Sequence, residues 1–106
     1  MSLLPQPATT EIQLTEVLRA LADPVRLDLV ARLDRDGEET CFRLGVDTGL
    51  HKSTMSHHYR ILREAGVVLT RQDGRRKYLS LRRADLEERF PGLLDSVLAA
   101  ALDRTP

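Results

Sequence analysis

Residues 50–66 read Leu50-His51-Lys52-Ser53-Thr54-Met55-Ser56-His57-His58-Tyr59-Arg60-Ile61-Leu62-Arg63-Glu64-Ala65-Gly66. At helical spacing Met55, Tyr59, Leu62 and Ala65 fall on one apolar stripe. The opposite side carries Lys52, Ser53, Thr54, Ser56, His57, Arg60 and Arg63. Ser and Thr are indifferent helix formers, and a surface helix shaped by stability alone favours Glu, Lys, Gln and Ala there. Small hydroxyls let a helix backbone approach another surface closely, and the flanking cations imply that this surface is anionic. A helix entering a DNA major groove has these needs. On this segment alone, a serine-rich amphipathic surface helix is the competing reading.

The neighbouring residues decide between the two. Thr40–Thr48 reads as a short, weak helix, Gly49 supplies the turn, and Leu50 is expected to plug the core between that helix and the next. Two helices joined by a tight Gly-containing turn, the second bearing the polar face, form a helix-turn-helix. After Gly66 the period becomes strand-like. Val67–Arg71 and Lys77–Leu81 flank Gln72-Asp73-Gly74-Arg75-Arg76, and Asp-Gly between β-type runs signals a hairpin. Its cations Arg71, Arg75, Arg76 and Lys77 suit phosphates or a minor groove, so the hairpin reads as a wing.

Upstream, Met1–Ala8 reads as a disordered or loosely docked tail interrupted by Pro5 and Pro7. Thr10 can cap a first helix over Glu11–Ala22. Asp23-Pro24 places an N-cap and a first-turn proline at the start of a second helix, Pro24 to about Arg35, with Val25, Leu29, Val30 and Leu33 inward. Downstream, Asp85–Phe90 reads as helix, Pro91-Gly92 as a break, and Leu93–Leu102 as a closing helix. The expected fold is mainly α with a minor β component: a winged helix-turn-helix of about five to six helices and one hairpin. A flexible tail, residues 1–9, precedes a single domain over residues 10–104.

The formal net charge of zero conceals a division. The balance is −4 over residues 1–50, +7 over 51–83 and −3 over 84–106. A basic segment between acidic flanks is the footprint of a nucleic-acid surface, and the acidic remainder opposes indiscriminate coating of DNA. Trp is absent and aromatics are few, which speaks against a platform stacking single-stranded bases. One cysteine, Cys41, excludes an internal disulfide framework and fits a reducing cytoplasm. No apolar run is long enough to span a bilayer, and the start lacks a signal-peptide pattern. The expected location is therefore cytoplasmic, on the nucleoid when DNA is bound. No nucleophile–base set, phosphate loop or carboxylate pair marks an enzyme.

Leu18-Arg19-Ala20-Leu21-Ala22-Asp23-Pro24-Val25-Arg26-Leu27, followed by Lys52–Gly66 and a Gly-Arg hairpin, resembles the ArsR (ArsR/SmtB) family of bacterial winged-helix repressors over about residues 11–102. The resemblance implies a homodimer packed through its first and last helices, a palindromic operator as double-stranded DNA partner, and an inducer that lowers DNA affinity. Many family members sense metal through paired cysteines ahead of the recognition helix. Those positions fall here on Thr40 and Phe42, with Cys41 between them. One thiolate cannot make a thiolate-rich site within a subunit. Another family site uses Asp and His on the last helix; the C-terminal segment of this chain has Asp85, Asp95 and Asp103 but no His.

No metal and no cofactor is therefore expected, and the inducer is an unidentified small molecule. The residues expected on DNA are Lys52, Ser53, Thr54, Ser56, His57, Arg60, Arg75, Arg76 and Lys77. Those expected at the dimer seam are Leu14, Val17, Leu18, Leu94, Val97, Leu98 and Leu102. His58 reads as a packed, hydrogen-bonded histidine, His51 as a poor helix cap, and Cys41 as a small buried or half-buried apolar residue. Two alternatives stay open: a winged-helix module docking an acidic protein partner, and a redox-responsive repressor using Cys41.

Overall fold

The computed structural model describes residues 2–103. A 3-10 turn over Thr9–Glu11 is closed by the Glu11 carboxylate, which accepts the Ala8 N–H at 2.8 Å. Ile12 follows in extended conformation and is fully buried, so the first helix, α1 (Leu14–Leu21), starts later than Thr10 would have capped it. The second, α2 (Pro24–Asp36), begins as its sequence demands. Asp23 Oδ2 accepts the Val25 and Arg26 N–H groups at 2.9 and 3.1 Å, with Pro24 in the first turn.

Thr40 caps α3 (Cys41–Thr48), its Oγ1 accepting the Arg43 N–H at 3.1 Å. Gly49, in the left-handed region at φ 72°, ends α3 and leads into α4 (Lys52–Glu64). His51 stands at the α4 N-cap and makes no side-chain cap bond.

The hairpin consists of β3 (Val68–Asp73) and β4 (Arg76–Leu81), joined by the two-residue loop Gly74-Arg75. It is longer than the sequence pattern showed, because Gln72 and Asp73 continue the ladder against Lys77 and Arg76. Two short strands flank it. β1 (Ser2–Leu3) pairs antiparallel with β3, and β2 (Glu39–Thr40) with β4, giving the order β1-β3-β4-β2. Residues 2–8, expected as a loose tail, thus lie against the sheet. Gln6 fixes them there by bonding both the N–H and the C=O of Thr70, at 2.7 and 3.3 Å. The chain closes with α5 (Arg83–Arg89) and α6 (Leu93–Asp103). These elements make the expected winged helix, with six helices among the described residues.

The core runs from Ile12 and Val17 through Leu29, Val30 and Leu33 to Met55, Leu62, Val68 and Leu79. Leu50 is not in it. It is 40 % exposed, and Leu44 with Met55 fills the space between α3 and α4 instead. The seam expected between subunits divides in the same way. Val17, Leu94 and Leu98 are buried within the single subunit and cannot offer surface, whereas Leu14, Leu18 and Leu102 are exposed and Val97 is half-buried. One apolar stripe on each helix serves the subunit core first, and only its margin is left for a partner.

Candidate nucleic-acid interface

The placement of α4 follows from its inward residues. Met55, His58 and Leu62 are buried, which turns Lys52, Ser53, Thr54, Ser56, His57 and Arg60 to solvent. Lys52, Ser53, Ser56, His57 and Arg60 line one shallow depression; Thr54 is exposed outside it. Arg60 Nη2 lies 3.5 Å from His57 Nδ1. Arg63, counted with the polar face in the sequence, is half-buried.

His58 is the joint behind this face. Arg26 Nη1 donates to its Nδ1 at 3.2 Å, and Asp23 Oδ2 lies 4.0 Å from the same nitrogen. Arg26 is itself held by the Ala20 and Arg19 carbonyls, at 2.7 and 3.3 Å. α4 is therefore tied through one imidazole to the capped start of α2. Burial, the first cause, lowers the His58 pKa; Asp23 opposes it, and the charges of Arg26 and His57 add to it. At Asp23 burial works to raise the pKa, but the Arg26 N–H bond, the Arg26 charge, His58 and the Val25 N–H outweigh it and keep the carboxyl below its ordinary value.

The hairpin brings Arg75, Arg76 and Lys77 into solvent at its tip. Arg71 does not join them. Its guanidinium bonds Glu38 at 2.7 and 3.0 Å and stacks over the Tyr78 ring, 4.1 Å from the centroid. Strand alternation places Arg71 and its cross-strand partner Tyr78 on one face and Lys77 on the other. The hydrogen bond from Arg71 holds the Glu38 carboxyl below the ordinary range.

The cations of the described residues thus form two populations. Arg19, Arg32, Arg35, Arg71, Arg82 and Arg83 pair with carboxylates, and Arg26 and Arg89 bond backbone carbonyls. Arg43, Lys52, Arg60, Arg63, Arg75, Arg76 and Lys77 have no ion-pair partner among the described residues. Except for Arg60, all of these line the cleft where α3, α4 and the hairpin meet, and Arg60 lies beside Lys52 in the depression on α4. Arg43 was not singled out in the sequence, where a lone cation on a weak helix carries no distinguishing signal.

The residues at the family's metal positions do not fit a metal. Thr40 is a helix cap, Phe42 is 81 % exposed, and burial pushes the Cys41 thiol up to about 11 despite the charges of Lys77 and Arg63. Such a thiol stays protonated at neutral pH and is a slow nucleophile. Asp85 and Asp95 are occupied by Arg82 and Arg83, and the side chain of Asp103 lies outside the described residues.

A helix-turn-helix with an exposed second helix and an unpaired cationic hairpin beside it defines a winged-helix DNA-binding regulator. Comparison with known proteins agrees. A family model described as a helix-turn-helix domain matches residues 21–71. The HTH-type transcriptional regulator YceK of Bacillus subtilis is 37 % identical over 83 residues, covering 77 % of this chain and 83 % of that protein. A transcriptional repressor SmtB homolog of Synechocystis sp. is 41 % identical over 70 residues, 65 % of this chain, which spans only 52 % of that repressor's length. The crystal structure of an ArsR family transcriptional regulator shares the fold, with a TM-score of 0.67 at 24 % identity over 78 % of this chain and 90 % of that one. The chain belongs to the ArsR/SmtB family of helix-turn-helix transcriptional regulators.

Proposed function

We propose that the protein is a homodimeric repressor that sets two α4 helices into successive major grooves of a palindromic operator, about 34 Å apart. Ser53, Thr54, Ser56 and His57 contact base edges or adjacent phosphates. Lys52, Arg60, Arg75, Arg76 and Lys77 supply phosphate affinity that is largely independent of sequence, and Arg43 joins them. The observation that carries this reading is the gathering of the unpaired cations around α4 and the hairpin, while the other described arginines are engaged elsewhere. Exposed Leu14, Leu18 and Leu102 support pairing through the first and last helices. Release comes from an inducer other than a thiolate-bound metal, consistent with the raised pKa of the single thiol, which also disfavours redox control through Cys41.

Mobility shifts on DNA selected from a genomic library test the reading. Arg76→Ala should weaken binding to all sequences and reduce the salt slope by about one counterion. Ser56→Ala should change operator preference more than overall affinity. If neither variant alters binding, the docking geometry is wrong. Sedimentation of a monomer at micromolar concentration would remove the dimer from the scheme.

A further inference from the structure

Two residues lining the cleft between α3, α4 and the hairpin each carry a buried polar atom without a partner. Thr70 is 2 % exposed, and its Oγ1 has no hydrogen-bond partner. Arg63 Nε, near the end of α4, is buried and unbonded as well. Both line the same cleft, about 1180 Å³ in volume. A buried hydroxyl and a buried guanidinium N–H are each costly until something accepts their protons.

The cleft walls say what that something is. Arg43, Lys52, Arg63, Arg75, Arg76 and Lys77 line it against a single carboxylate, Glu39. Glu39 is already engaged, accepting the Thr40 N–H at 2.9 Å and standing 4.0 Å from Arg32. The lining also has an apolar part. Phe42, Val46 and Leu50 stand four residues apart along α3 and beyond it, and are 81, 61 and 40 % exposed. Phosphates of a DNA backbone would use the cations but leave this apolar stripe in water. An organic acid with an apolar body matches both parts of the lining.

We propose that this cleft is an effector site for an amphipathic carboxylic acid. Its carboxylate accepts hydrogen bonds from the Arg63 guanidinium and the Thr70 hydroxyl, and its apolar body covers Phe42 and Val46. The proposal rests on the reading that α4 and the hairpin bind DNA. An occupant places negative charge beside Lys77 and fills the space between two elements that must grip DNA together, so acid and operator exclude one another.

Sodium decanoate is the probe, with decanol (no charge) and acetate (no apolar body) as controls on the full chain. Decanoate should raise the melting temperature and weaken operator binding by about tenfold at saturation; the controls should do neither. Thr70→Val keeps the side-chain shape, removes the orphan hydroxyl, and should hold operator affinity while lowering decanoate affinity by about fivefold. Arg63→Gln, the second variant, should reduce the decanoate response further. No melting shift with decanoate, or equal shifts in wild type and both variants, overturns the site. Operator binding without any decanoate effect would sink the effector site and leave the DNA reading intact. A Thr70-dependent decanoate shift in a protein that binds no DNA at any salt would do the reverse.

Discussion

Gly66 joins α4 to the hairpin with φ at 84°. Its N–H bonds the Arg63 carbonyl at 3.1 Å and the Val67 N–H bonds Leu62 at 3.0 Å, the paired bonds of a Schellman motif. A Cβ here would meet Ile12 Cγ1 at 2.6 Å. Gly66→Ala should therefore lower unfolding free energy by ~2 kcal/mol, from both backbone strain and the clash; an unchanged urea midpoint would disprove the close approach. His58 gives a pH dependence of definite sign. Its pKa in the folded protein lies below the ordinary value of 6.5, so the unfolded chain binds more protons in that window. The contribution is present in full above pH 6.5 and is lost as pH falls through the folded pKa. Protonation also removes the acceptor that Arg26 uses. Thermal melts between neutral and mildly acidic pH should show this loss in wild type and less of it in His58→Gln.

At the scale of elements, strong local signals were legible in the sequence. Asp23-Pro24 fixed the start of α2, and Thr40 and Gly49 bounded α3. The apolar stripe oriented α4 well enough that every α4 residue expected on DNA lies exposed. Elements defined by distant partners were not legible. β1 and β2 have two residues each and exist only through pairing with β3 and β4. The same limit applies to Arg71, whose role depends on Glu38, 33 residues away in the chain. Periodicity could not tell that Val17 is buried and Leu14 exposed, since both belong to one apolar stripe of α1. The docking of β1 has its own test. Gln6→Ala leaves the buried Thr70 N–H without its acceptor and should cost about 1–2 kcal/mol. Amide hydrogen exchange should speed up at Thr70 and Leu4; unchanged protection there would mean that Gln6 does not hold the strand.

Across the described residues, a chain of zero net charge gathers its unpaired cations around α4 and the hairpin and engages the rest with carboxylates, as Arg83 with Asp34 and Asp95, or with backbone carbonyls, as Arg26 and Arg89. Paired and unpaired arginines have different consequences under mutation. Loss of a paired one leaves an acid exposed and shifts stability slightly, whereas loss of an unpaired one is felt only when an anion arrives. The same segregation governs how the protein reaches its target. A neutral body with one charged side is a dipole, and the field of a duplex turns it face-first before contact. Speed of capture, as well as residence time, is then written into the fold. Stopped-flow association should slow steeply as salt rises, although the molecule carries no net charge to be attracted; a rate indifferent to salt would rule this steering out.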